Sequence, residues 1–138
     1  IRAAVGSGLH VFLDRYVESN KGHQGGKIED TRERSVFYDW LDQLEYGTFG
    51  LPKPDAVLFL HMPCDKGIEL RKKRGDGADG HESILEHLMD AEKAYLQLVE
   101  KEGWTKISCV HNDNVRSVED IHREIYSHVI RSISGQNA

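Results

Sequence analysis

A mixed α/β chain built on a parallel sheet is what this sequence predicts, and two observations carry that expectation. Three short apolar runs, residues 9–13, 56–60 and 106–110, hold mostly β-branched, leucine or aromatic side chains. Such runs mark strands covered on both faces. Long stretches with apolar residues at helical spacing separate them, and strands alternating with helices imply crossover connections. No internal repeat or low-complexity tract interrupts the pattern, and one domain over residues 1–138 accounts for it.

The first run ends in Asp14-Arg15-Tyr16, and a polar segment punctuated by Gly22, Gly25 and Gly26 follows. An acid and an arginine delivered from the carboxyl end of a strand stand where open α/β sheets bind ligands. A helix is expected to start near Asp30, with Glu33 three positions on as in a capping box. Val36, Phe37, Trp40, Leu41 and Leu44 recur on one face of it, and Gly47 and Gly50 end it. Leu51-Pro52-Lys53-Pro54 then forces an extended entry into the second strand.

After Met62-Pro63 a second helix is expected from about Asp65 to Arg74, broken at Gly75-Asp76-Gly77. Asp79-Gly80-His81-Glu82 opens a third, running to about Glu100 with Ile84, Leu85, Leu88, Ala91, Tyr95, Leu98 and Val99 on its apolar face. Gly103 stops it. The last strand leads into a polar turn over residues 111–116. Ser117 with Asp120 then caps a final helix carrying Val118, Ile121, Ile125, Val129 and Ile130.

Composition narrows the function classes. Charged residues make up 30% and apolar ones 38%, with a net charge of −5 and no basic tract to offset it, which argues against a nucleic-acid coat. No apolar run approaches the roughly 20 residues that span a bilayer, and no signal peptide stands in the sequence as written. Cys64 and Cys109 lack any partner spacing, so a reduced, cytoplasmic compartment is the expectation.

Three constellations could carry chemistry. Arg15 offers a rigid fork of donors suited to phosphate or carboxylate, and Asp14 beside it could hold that fork or organise water around Mg²⁺. The alternative is a structural ion pair at a strand end. Ser19, Asn20, His23 and Gln24 crowd hydrogen-bonding groups into the glycine-rich segment, and amides can read a base edge. Without a ligand the same composition is an ordinary surface loop. Arg71-Lys72-Lys73-Arg74 ends a helix, where cations complement the dipole. The functional alternative is a lid whose arginines close over a transferring phosphoryl group.

Other motifs fall short. Lys21 stands where a phosphate loop needs its leading glycine and Ile28 follows Gly26-Lys27, so no G-x-x-x-x-G-K-[ST] is present. His81-Glu82 with His87 reads H-E-x-x-x-x-H, not the zinc-binding H-E-x-x-H. Ser35 has no nucleophile-elbow context.

DRYVESNKGHQGGK, then FGLPKPDAVLFL, then RKKRGDGADGHE and AEKAYLQL, in this order, resemble the thymidylate kinase family over essentially the whole chain. The resemblance implies a P-loop kinase-like three-layer fold, a parallel β-sheet flanked by helices, and transfer of the γ-phosphoryl of ATP to dTMP with Mg²⁺. Carried over by position, Arg15 is the arginine that grips the dTMP phosphate, and Arg71 and Arg74 belong to a catalytic lid over about residues 71–82. Asp14 is the acid near the metal and phosphates. Asn20 and Gln24 lie in the segment contacting thymine and sugar, Ser19 helps hold that turn, and His23 belongs to the same substrate-binding stretch. Asn112, Asp113 and Arg116 follow the last strand, where the family places the ATP adenine. Family members are generally homodimers, and the helix over residues 31–46 could supply apolar contact area.

Two departures stand out. Many members carry Ala-Tyr-Gln where this chain has Gly22-His23-Gln24. The family's phosphate loop, its first strand and the helix that stacks on thymine precede the Asp-Arg-Tyr motif, and none is present here. Together with the start at Ile1, this makes the expectation an amino-terminally truncated chain, roughly the carboxyl-terminal two-thirds of such a domain. Alone it would lack the backbone cradle that phosphoryl transfer needs. Two rivals compete: a deoxynucleoside kinase, which Glu33-Arg34-Ser35 mimics, and a remnant that binds nucleotides without chemistry.

Overall fold

Residues 1–75 and 82–135 are described by a computed structural model of the chain. In order, the elements are α1 (Arg2–Gly6), α2 (Val17–Gly25), α3 (Thr31–Asp42) continuing as a π-helical run Gln43–Thr48, β1 (Leu58–His61), α4 (Cys64–Arg74), α5 (Glu82–Glu102), β2 (Thr105–Ser108), β3 (Val110–His111), β4 (Asn114–Val115) and α6 (Val118–Ile133). Strands β1 and β2 pair in parallel, Leu58 opposite Thr105 and His61 opposite Ser108, joined through α4 and α5 as a crossover. Two of the three expected strands thus form the expected parallel pair, and the α/β class holds.

The third does not. Residues 9–13 run as irregular chain with their side chains in solvent, Leu9 63% and Phe12 69% exposed. A strand needs a neighbour to take its backbone hydrogen bonds, and β1 and β2 pair only with each other. Composition alone could not supply that partner.

The polar stretch after Tyr16 is also not a loop. It is helix α2, and its glycines are packing surfaces. A Cβ on Gly22 would lie 2.2 Å from Cζ of Tyr95, one on Gly25 2.5 Å from Cε1 of Tyr38, and one on Gly26 2.9 Å from backbone of Ala91. Three missing side chains therefore let α2 lie directly on α3 and α5. Beneath it the core gathers Tyr38, Leu98 and Trp104, with Phe37, Val57, Phe59, Tyr95 and Val99 packed against them.

Helix α3 starts where its cap requires. The Asp30 carboxylate accepts from the amides of Arg32 (2.8 Å) and Glu33 (2.9 Å). Asp30→Ala should therefore lower stability by about 1 kcal/mol, read as a shift in the urea midpoint. Ser117 caps α6 in the same way through the amide of Asp120 at 3.2 Å. Helix α4 has no side-chain cap of its own. Glu92 of α5 fills that role, accepting from the Cys64 amide at 3.1 Å and meeting His61 Nε2 at 2.7 Å. Burial and the Glu92 carboxylate push the Cys64 thiol up to about 12, so it stays protonated at neutral pH. At its other end α4 stops at Gly75, which adopts φ 75°.

The expected break after Gly75 and the cap at Asp79 fall within residues 76–81, outside the described residues. Among the described residues no helix is long and apolar enough to cross a membrane.

Candidate functional site

Arg15 adopts φ 70°, a left-handed conformation that a side chain other than glycine takes at a cost of about 1–2 kcal/mol. Such strain persists where the surroundings require it and clusters at ligand sites. Here it turns the chain from residues 9–13 into α2. Tyr16 follows as the helix N-cap position, its hydroxyl donating to the Pro52 carbonyl at 3.2 Å.

Helix α2 then sorts its side chains by face. Positions 19, 20, 23, 24 and 27 share one side, and with Arg15, Tyr16 and His87 they line an open cleft of about 390 Å³. Ser19, Asn20, His23 and Gln24 are thus brought together with Arg15. Two cleft residues that the sequence did not single out are Lys27, whose ammonium donates to Gln24 Oε1 at 2.9 Å, and His87, which arrives from α5. Among the described residues no carboxylate lines the cleft, although the chain as a whole is acidic. Its charged groups are all cationic or can become so.

Tyr95 holds this wall in place. Its ring stacks on Phe59 of β1, centroids 5.0 Å apart and 11° between planes, and its hydroxyl donates to the Ser19 carbonyl at 3.3 Å. The His23 ring stands perpendicular to it at 5.5 Å. Burial holds the His23 pKa below the ordinary imidazole value, and the charges of Arg15, His87 and Lys27 add to that.

On the opposite face of α2 lies a different environment. Lys21 is 2% exposed, and its ammonium sits 2.8 Å from both Asp42 and Glu102. Burial alone would lower its pKa; the two carboxylates outweigh burial and raise it. Beside this triad Tyr46 donates to Glu18, and these five side chains line a second, smaller cavity of about 210 Å³.

The remaining expected residues lie elsewhere. Asp14 is exposed beside Arg15 and does not line the cleft. A single carboxylate can serve Mg²⁺ when substrate phosphates supply the other ligands; among the described residues no group of three or more potential ligands forms a site by itself. Arg71 and Arg74 are exposed on the last turn of α4. Asn112 and Asp113 form the two-residue turn of the β3–β4 hairpin, both at positive φ as a type I′ turn demands. Asp113 pairs with Lys66 at 2.8 Å. The Arg116 guanidinium is committed to the Ser108 carbonyl (2.7 Å) and Glu124 (2.6 Å). None of these three lines the Arg15 cleft.

Arg34, central to the rival Glu-Arg-Ser reading, is buried. It donates to the Ile28 carbonyl and to Gln97 at 2.6 Å, a structural role with no donor facing the cleft.

No family model matches the chain. Individual proteins do. A protein named thymidylate kinase from Halothermothrix orenii is 30% identical over 135 residues, which cover 94% of this chain and 58% of that protein. One named probable thymidylate kinase, from Pyrococcus abyssi, is 27% identical over 98% of this chain and 58% of its own length. A thymidylate kinase of Mycobacterium tuberculosis is 27% identical over 68% of this chain and 45% of that protein. The chain thus spans about half the length of the curated relatives it matches, from 45% to 58%. Over nearly all of its own residues, it is similar to proteins named thymidylate kinase.

Proposed function

We propose that this chain carries the acceptor-nucleotide part of a nucleoside monophosphate kinase that moves the γ-phosphoryl of ATP to dTMP, giving dTDP and ADP. The observation that carries the reading is the cleft in which a strained Arg15 stands ahead of a helix lined with Ser19, Asn20, His23 and Gln24. A guanidinium fork suits the dianionic phosphate, and the amides further along suit the heterocycle. From Val17 to Gln24 the helix advances about 10 Å, and with Arg15 two residues ahead of it the row has the scale of a nucleoside monophosphate. The names of the relatives favour dTMP as that nucleotide.

Asp14 fits as one carboxylate of a Mg²⁺ site completed by nucleotide phosphates; bound there, Mg²⁺ would neutralise phosphate charge. The cations ending α4 would meet the transferring phosphoryl group from the lid side, spreading positive charge over its equatorial oxygens. With the Arg116 side chain committed, the backbone of the Asn112–Asp113 turn is the surface left to meet an adenine. A homodimer through α3, which leaves Val36 and Trp40 in solvent, belongs to the same reading.

The test is calorimetric titration of dTMP and of thymidine into the chain and its Arg15→Ala variant. The reading expects dTMP to bind, thymidine to bind far more weakly, and Arg15→Ala to weaken dTMP about 100-fold, or about 2.7 kcal/mol. Equal binding of dTMP and thymidine, or indifference to Arg15→Ala, would sink it.

A further inference from the structure

Helix α4 is attached at one end. None of its eleven residues is buried, and from Arg71 to Arg74 every side chain is exposed. Helix α5, by contrast, buries Ala91, Ala94 and Leu98, and β2 buries Ile107. Apolar packing therefore fixes α5 and the sheet firmly and α4 only loosely. A helix of this length does not persist on its own propensity, so its anchor has to be polar.

That anchor sits at the first turn, where one carboxylate gathers three donors. Glu92 Oε1 meets His61 Nε2 at 2.7 Å, Oε2 accepts from the Cys64 amide at 3.1 Å, and the Cys64 thiol donates to the same carboxylate. Burial works against the Glu92 charge, yet the donors of Cys64 and His61 hold its carboxyl below the usual range. The acceptor belongs to α5, while the donors belong to the end of β1 and the start of α4. A second tie, Lys66 to Asp113 at 2.8 Å, ends on an exposed carboxylate, where water and salt weaken it. Further along α4, Lys73 pairs with Glu69 inside the helix itself.

We propose that Glu92 sets a two-state docking of α4: with the clasp closed the helix stands against α5, and with it open α4 leaves as a unit while α5, β1 and β2 stay folded. Glu92 is then a positioning residue for the cations of α4. That use rests on the reading of Arg71 and Arg74 given above, whereas the opening itself does not.

Amide hydrogen exchange, followed by NMR on the full 138-residue chain, reads the opening directly. In the parent protein, amides of residues 68–74 should exchange at least about tenfold faster than those of residues 94–98 and respond little to low urea, because opening α4 exposes little surface. Glu92→Ala should speed exchange in α4 by about 10- to 100-fold, and Glu92→Gln, which keeps one acceptor oxygen, by less. Lys21→Met is the counterpart. Its ion group joins α2, the end of α3 and α5, and survives the opening, so this variant should speed the amides of residues 94–98 and leave those of α4 unchanged.

Exchange of α4 at the same rate and with the same urea dependence as residues 94–98 would overturn the separate opening, and this comparison needs no variant. Acceleration of α4 by Lys21→Met equal to that of the core would do the same. Indifference of α4 to both Glu92 variants would remove Glu92 from the role. No residue of the clasp lines the Arg15 cleft, so dTMP titration of the same protein judges the nucleotide reading separately. Failure there would take away the phosphate as the target of the cations and leave the opening in place.

Discussion

Lys21→Met should cost the fold about 3 kcal/mol, enough to move the urea midpoint by more than 1 M in a domain of this size. Methionine fills the volume, so the loss is electrostatic. Asp42 and Glu102 now meet across a site with no cation between them, and removing one member of a buried ion group leaves charge uncompensated. Both carboxylates are partly open to solvent, which keeps the expected cost near the lower end of the range for fully buried groups. Trp104 reports the change directly, because its indole N–H donates to Glu102 at 3.2 Å. Replacing all three, Lys21→Met with Asp42→Asn and Glu102→Gln, should recover much of the loss. A single variant as stable as the parent would show that the triad contributes nothing. Because the Lys21 pKa is raised, its contribution is fully present below the ordinary lysine pKa and is lost only as pH rises above it, so the pair is intact throughout the neutral range.

Gly22→Ala is the second large effect. The new methyl would stand 2.2 Å from a ring that cannot retreat, since Tyr95 is stacked on Phe59 and bonded to the Ser19 carbonyl. Overpacking of this kind costs about 3 kcal/mol, whereas alanine's better helix propensity returns only about 1 kcal/mol. Gly67→Ala in α4 is the control, because its nearest neighbour, Cγ of Met62, lies at 3.7 Å. There propensity should win and stability should rise. If Gly22→Ala matched that control in urea unfolding, the close seating of α2 on α5 would be disproved.

These two residues also show where the sequence was readable. Caps and periodicities are local, so the start of α3 at Asp30, the start of α6 at Ser117 and the parallel pairing of the second and third apolar runs could be read in short windows. Residues 9–13 read as a strand although they form none, because their apolar character is local while a strand's partner is not. The α2 segment reads as a loop because glycine usually signals turns. Gly22, Gly25 and Gly26 are spaced as one helical face, and that spacing was the available clue. Lys21 counted only as a wrong letter in a phosphate-loop pattern. Its partners lie 21 and 81 residues away, and nothing near it in sequence announces them.

The site divides in the same way. Arg15, Ser19, Asn20, His23 and Gln24 were legible as a group because they are neighbours in sequence. Lys27 lies just past the end of α2, where the turn after Gly25 keeps it beside Gln24. His87 could be assigned to the cleft only once α5 was seen lying on α2.

Glu92 has a mechanical consequence. It fastens the start of α4 to the body of α5 and to the end of β1, while the arginines of α4 sit at the far tip. An eleven-residue helix is about 16 Å long, so α4 is a lever pinned at its root. A tilt of about ten degrees at Glu92 would carry Arg74 through about 3 Å and Arg71 through about 2 Å, the scale that separates touching a phosphate from missing it.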